Sequence, residues 1–168
     1  MIKTLTIHTV EEKKALNIAE IYQRNLSMVY RVSFSYMKNK SDTDDIVSEI
    51  FLKLIQTKIY FEDNEHEKAW LLRTTINLCK DSLKSWRRKN KNIDDYENIE
   101  SDNPYEIDET LKIVMHLPER YKDAIYLYYY EGYSTEEIAQ ILKKPHSTIR
   151  NHLSESRKLL KGVLENEK

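Results

Sequence analysis

Apolar residues recur at three- and four-residue steps along most of this chain, the spacing of one face of an α-helix. From Val10 to Met37 the positions Ile18, Ile21, Tyr22, Val29, Tyr30 and Phe34 predict a long amphipathic helix, with a break near Asn25. Asn39-Lys40-Ser41 reads as a turn. Ser41-Asp42-Thr43-Asp44 reads as the start of a second helix, with its acids at the positive end of the helix dipole. Ile46, Ile50, Phe51 and Leu54 give that helix a buried side, and Asp44, Asp45 and Glu49 an acidic outer face. A third helix begins near Glu65 and runs to about Lys89, with Leu72, Ile76, Cys79, Leu83 and Trp86 as its inner stripe. Glu106 to Leu117 predicts a short helix with Ile107, Leu111 and Val114 inward.

The most sharply punctuated stretch is Leu117 to Lys161. Leu117-Pro118 opens a helix, because proline fits the first helical turn. Tyr121, Ala124, Ile125 and Tyr128 mark its apolar face, and Gly132 suits its stop. Ser134-Thr135-Glu136-Glu137 is a capping box before Ile138, Ala139 and Leu142. Lys143-Lys144-Pro145 breaks the chain. A third helix follows, with Ile149, Leu153, Ser156 and Leu160 on one side and Arg150, Asn151, Arg157 and Lys158 mostly facing outward. Two short helices joined by a tight break, the second polar and basic outside, form a helix-turn-helix pattern. Arginine and asparagine suit base edges in a major groove, while lysine and serine suit phosphates. A generic helical hairpin with a solvated charged face is the plainer reading.

Composition supports helices: a third of the 168 residues are charged and only two are glycine. The net charge of −1 carries no message about nucleic acid, but its distribution does. Between Lys68 and Asn92 stand eight basic residues and one acid, a stripe suited to phosphates, with Trp86 near its end for stacking on unpaired bases. Cations at a helix C-terminus are the plainer account. Residues 93–110 then hold eight acids and no base, and Ile93 to about Tyr105 reads as an acidic linker between two domains. Cys79 is the single cysteine, so neither a disulfide framework nor a cysteine zinc site is expected. The start of the chain lacks a signal-peptide core, and no apolar run reaches membrane-spanning length, so a cytoplasmic protein without membrane insertion is expected. His8, His66, His116, His146 and His152 are scattered, and no glycine-rich phosphate loop or nucleophile elbow occurs. No catalytic residue, metal or cofactor is expected, and the chain is not expected to be an enzyme.

The segment LPERYKDAIYLYYYEGYSTEEIAQILKKPHSTIRNHLSESRKLL resembles region 4 of bacterial sigma factors of the sigma-70 family, which reads the promoter −35 element. DTDDIVSEIFLKL and AWLLRTTINLCKDSL resemble pieces of sigma region 2. The resemblance covers about residues 17–90 and 106–161. Nothing between resembles region 3 and nothing before resembles region 1.1, which is similar to the extracytoplasmic-function (ECF) group. Three positions depart from the pattern: Lys143 stands where a turn glycine is usual, Asn151-His152 where Ser-Arg is common, and Ser48 where many relatives have glutamine.

The resemblance implies an all-α fold of two small helical domains. A region 2-like bundle at 10–92 and a region 4-like helix-turn-helix domain at 106–168 are joined by the acidic linker at 93–105. It implies a sigma factor that binds core RNA polymerase, through the β′ coiled coil and the β flap, and recognises promoter DNA. An anti-sigma factor is a further implied partner. By position, Asp44, Asp45, Ile46, Glu49 and Phe51 fall in the polymerase-docking helix. Asn77 and Lys80 fall on the −10-reading helix, with Lys84, Arg87 and Arg88 near the backbone. Ser147, Thr148, Arg150, Asn151, His152, Arg157 and Lys158 fall on the −35 helix. Two other classes compete: a helix-turn-helix regulator acting without core polymerase, and a protein-interaction module whose basic stripe is a solvated face.

Overall fold

The computed structural model describes residues 10–57, 59–89 and 108–166. Among these it contains seven helices and no strand. Three long helices, α1 (Val10–Met37), α2 (Lys40–Gln56) and α3 (Asn64–Lys89), pack on one another. Four more follow: α4 (Glu109–Met115), α5 (Glu119–Tyr129), α6 (Thr135–Leu142) and α7 (His146–Asn166).

The helix α1 runs unbroken through Asn25, contrary to the expected break. The Asn25 amide is buried and donates both to the Ile21 carbonyl at 2.9 Å and to Glu67 Oε1 at 2.6 Å. An asparagine that finds partners within and across helices does not need to leave the helical conformation. Arg24 closes the same cluster, its Nε and Nη2 reaching the two Glu67 oxygens at 3.0 and 2.8 Å. This polar joint fixes α1 to the first turn of α3.

The cap of α2 is Asn39, not Ser41: its Oδ1 accepts the Asp42 N–H at 2.8 Å, and Lys38 before it turns the chain at φ 61°. The inner face of α2 is as expected, with Ile46, Ile50, Phe51 and Leu54 buried, and Val47 joins it. The stripe of α3 differs at its end. Leu71, Leu72, Ile76, Cys79 and Leu83 are buried, but Trp86 is only half-buried. Tyr22, expected inward, is 42% exposed and sets its ring edge-on against Phe51.

The short helix α4 begins after Asp108, whose Oδ1 caps the Leu111 N–H at 2.7 Å. Leu111, Val114 and Met115 are buried; Ile107, also expected inward, lies outside the described residues. The punctuation of the next segment is realised. Helix α5 starts after Pro118, Gly132 takes φ +72°, and Ser134 and Glu137 cap one another reciprocally. Lys143 ends α6 in the left-handed region at φ 50°, and α7 starts after Pro145. Ile138, Ile141, Ile149 and Leu153 close the small core under α5.

The second group of helices sits directly on the first. Lys122 of α5 is buried and donates to the Ser35 carbonyl at 2.8 Å. Ser35 lies in the last turn of α1, where carbonyls lack intrahelical partners, so an α5 side chain caps α1. Glu131 receives Lys68 of α3 at 2.8 Å, and the Lys68 ammonium lies 5.4 Å from the Tyr133 ring centroid.

Candidate nucleic-acid interface

Burial of Ile149, Leu153 and Ser156 fixes the rotation of α7, leaving Ser147, Arg150 and Asn151 exposed and Thr148 half-exposed. His152 behaves differently. Its ring packs edge-on against Tyr121, with centroids 5.5 Å apart, and it is half-buried. Burial first, then nearby cations including Lys144, lowers its pKa, so the ring is neutral near pH 7. Arg157 and Lys158 are exposed. The Arg157 Nε donates to the Tyr129 hydroxyl at 3.0 Å, and its guanidinium lies 5.5 Å from the Tyr128 ring, which holds it in place. The start of α7 is braced by His146, whose Nε2 is 2.6 Å from the Thr135 hydroxyl and 3.4 Å from Glu136. Spacing gave no sign of that brace, because its two ends belong to different helices.

On α3, Asn77, Lys84 and Arg88 are exposed. Lys80 and Arg87 are engaged by α5: Lys80 Nζ pairs with Asp123 Oδ2 at 2.5 Å, and Arg87 pairs with Glu119. Asp123 is 1% exposed and also receives Lys144 at 3.5 Å. Sequence reasoning passed over Glu119 and Asp123, since nothing in α5 alone marks carboxylates whose partners lie 32 and 43 residues away.

On α2 the five docking-helix residues divide. Asp45 and Glu49 are exposed, and Asp44 is half-exposed in an i,i+4 pair with Lys40. Ile46 and Phe51 are core side chains, 4% and 6% exposed, so they hold the helix rather than face outward. The outward apolar residues are Leu52 and Ile55, 56% and 47% exposed. Their exposure breaks the usual logic of a surface helix, and falling outside the buried stripe was the available signal.

The buried Cys79 thiol is pushed up to about 12 by burial and is inert at neutral pH. Among the described residues no group of three or more histidine, cysteine or acidic side chains is placed to hold a metal ion. Among the described residues no helix is long and apolar enough to cross a membrane.

These surfaces define an all-helical protein with a helix-turn-helix and a basic helix, and comparison gives the class. Residues 21–90 match the model for sigma-70 region 2, and residues 107–160 the model for sigma-70 region 4. RNA polymerase sigma factor SigV of Bacillus subtilis is 30% identical over 143 residues, covering 82% of this chain and 85% of that protein. The ECF sigma factor SigM of the same organism is 27% identical, covering 88% and 95%. The ECF sigma-E factor of Escherichia coli K12 is 30% identical over 174 residues, covering 92% and 88%. The fold is shared with solved structures, one of them a sigma factor. RpoE of Bartonella quintana, in complex with the anti-sigma factor NepR, superposes with a TM-score of 0.71 at 19% identity, covering 90% of this chain and 99% of that one. CnrH, in complex with the cytosolic domain of CnrY, gives 0.63 at 16%, covering 90% and 89%.

The chain belongs to the sigma-70 family of RNA polymerase sigma factors, in its ECF group. Proteins of this family are transcription initiation factors. A regulator built on residues 105–161 alone does not account for the match over residues 21–90.

Proposed function

We propose that this sigma factor acts in the cytoplasm through three surfaces, one on each of α2, α3 and α7. The outer face of α2 docks on the β′ coiled coil of core polymerase through Asp44, Asp45 and Glu49, with Leu52 and Ile55 supplying apolar contact and Ile46 and Phe51 anchoring the helix from behind. On α3, Asn77 hydrogen-bonds an unpaired −10 base with its amide, Lys80 stands beside it, and Lys84, Arg87 and Arg88 hold the strand's phosphates. On α7, Arg150, with Ser147, Thr148 and Asn151, reads the −35 duplex, Arg157 and Lys158 grip phosphates, and His152 orients the helix against Tyr121. The region 4 helices also meet the β flap. The division into 10–92, a linker at 93–105 and 106–168 belongs to the same proposal.

The observation that carries this reading is a pairing on one helix: acids Asp45 and Glu49 stand beside exposed Leu52 and Ile55. A solvated face does not need the two leucine-sized side chains, whereas a protein-docking face does. The same face, or the adjoining Tyr22, suits an anti-sigma factor, a partner that one structural neighbour carries. The experiment is co-migration of the purified chain with core polymerase, followed by run-off transcription from a library of promoter fragments. Promoter-dependent transcripts are expected with the native chain. Asp45→Lys/Glu49→Lys should abolish both co-migration and transcripts while keeping the helical spectrum. Unchanged co-migration of that variant would remove α2 from the docking role.

A further inference from the structure

A cleft of about 290 Å³ opens between α1, the first turn of α3 and the link from α5 to α6. Three cations enter its lining, Arg24 and Arg31 from α1 and Lys68 from α3, each partly exposed. Arg24 and Arg31 are seven residues apart, so they stand on one face of α1 roughly 10 Å from each other. Two acids of the lining are turned inward and already engaged. Glu67 accepts Arg24 Nε and Asn25 Nδ2 on one oxygen and Arg24 Nη2 on the other. Glu131 accepts the Tyr126 hydroxyl at 2.9 Å on Oε1 and Lys68 at 2.8 Å on Oε2.

Arg31 is the cation these acids do not satisfy. Its Nη1 donates to Ser27 Oγ at 2.8 Å. Its Nη2 stands 4.0 Å from Glu131, beyond hydrogen-bond reach, and the buried Nε finds no acceptor among the described residues. A guanidinium cannot shed its charge, so N–H groups left unmatched here call for an acceptor from outside the chain. Lys68 gives Glu131 only one of its three N–H groups. The cleft therefore turns donors outward and keeps these acceptors inside, an arrangement that takes an oxyanion. Its volume holds about ten non-hydrogen atoms at the ~30 Å³ of a water molecule in the liquid, the size of a diphosphate. Cations at the two ends suit two phosphoryl groups, one meeting Arg24 and the other Arg31 and Lys68.

We propose that this cleft is a binding site for a diphosphate group, with Arg31 as its chief contact. The site uses none of the residues assigned above to polymerase or promoter, so it stands apart from that reading. Glu65, the exposed acid at the rim, opposes the ligand and sets a limit on its affinity.

The test is calorimetric titration of the full chain in about 0.05 M monovalent salt, where charge is little screened. Pyrophosphate should bind saturably with a Kd below about 1 mM, and should raise the midpoint of thermal unfolding as its concentration rises. Inorganic phosphate, which spans one end only, should bind at least about tenfold more weakly. Arg31→Gln should weaken pyrophosphate at least about tenfold, the loss of one charge-assisted contact, and Arg31→Lys should recover part of it. Lys53→Gln removes an exposed cation of α2 outside the cleft and should change the affinity less than about twofold. Glu65→Gln should tighten binding about two- to threefold. That substitution is exposed, so it locates the site even if Arg31→Gln fails to fold.

ADP identifies the carrier. Binding as tight as that of pyrophosphate assigns the group to a nucleotide, and binding of pyrophosphate alone assigns the free ion. Titration without saturation, malonate bound as tightly as pyrophosphate, or an affinity indifferent to both Arg31 and Glu65 would overturn the site. So would an Arg31→Gln variant that loses affinity for random single-stranded DNA to the same degree, since Arg31 would then belong to a nucleic-acid surface.

Discussion

The Lys122 ammonium donates to the main-chain carbonyl of Ser35 at 2.8 Å, from a site where it pairs with no carboxylate among the described residues. It also lies 5.4 Å from the Tyr36 ring centroid. Burial pulls its pKa from 10.5 down to about 7, against the opposing influence of Glu119 and with the help of Lys38 and Arg87. A lysine whose folded pKa lies below its unfolded one binds fewer protons when folded. Its contribution to stability therefore rises with pH between the two values and is flat below about 7. Urea unfolding of the native chain should show stability increasing from pH 7 to 8.5, with a ceiling of about 1.4 kcal/mol per pH unit. Cys79 acts in the opposite sense above its ordinary value of 9.0, which sets the upper end of the window. Lys122→Met should remove the slope, and a slope unchanged in that variant would mean another group titrates.

A second prediction concerns the Glu67 joint. This carboxylate is 3% exposed and is the shared acceptor for Arg24 and Asn25. Glu67→Ala leaves Asn25, itself 5% exposed, with one lost partner, and Arg24 with none at that joint. Arg24 keeps a route to solvent, so the cost falls below that of a fully buried orphan charge. We expect a loss of about 2–4 kcal/mol in urea unfolding. A loss under about 1 kcal/mol would mean the joint is replaced by water at no cost.

Local rules carried most of the fold, and they stopped where partners are remote. The capping box at Ser134, the stop at Gly132 and the break at Pro145 depend on neighbours within a turn, and each took its expected form. Asn25 was misread because its stabilising partner, Glu67, lies 42 residues away. Ser41 was misread as a cap because Asn39, two residues earlier, offers the same chemistry and was assigned to the turn. The surfaces followed the same division. Periodicity separated Arg150 from Ile149 and put Ile46 and Phe51 on the buried side of α2, but could not say that Arg87 is covered by Glu119. Charge runs mark a surface; only the packing of α5 on α3 decides whether it is open.

Lys143 gives a third prediction. It occupies the left-handed region at φ 50°, where an L side chain is strained, and its N–H reaches back to the Gln140 carbonyl at 3.3 Å. Lys143→Gly removes the strain at the turn between α6 and α7. The gain is partly offset by the greater freedom of glycine in the unfolded chain, leaving about 0.5–1 kcal/mol of stabilisation. The midpoint of thermal unfolding should rise by roughly 1–4 °C for a chain of this size. A lower midpoint would show that the lysine side chain supplies a contact worth more than the strain.

The last prediction separates base reading from phosphate gripping on α7. Arg150 is exposed one residue after buried Ile149, near the start of the helix, and on the proposed reading it enters the major groove first. Lys158 lies two turns further on and, among the described residues, pairs with Glu155 on its own helix at 3.0 Å. Arg157 sits beside it, already aligned by Tyr129. A base contact is worth about 1–3 kcal/mol at one base pair, whereas a phosphate contact weakens every sequence alike and contributes about one unit to the salt slope. Arg150→Ala should therefore flatten the preference at one −35 position, and Lys158→Ala should lower the salt slope with the preference intact. The measurement is a binding-site selection with each variant at fixed salt, followed by a salt titration on the selected site. If Arg150→Ala instead weakened all sequences equally, Arg150 would be the phosphate grip, and specificity would rest with Ser147, Thr148 and Asn151.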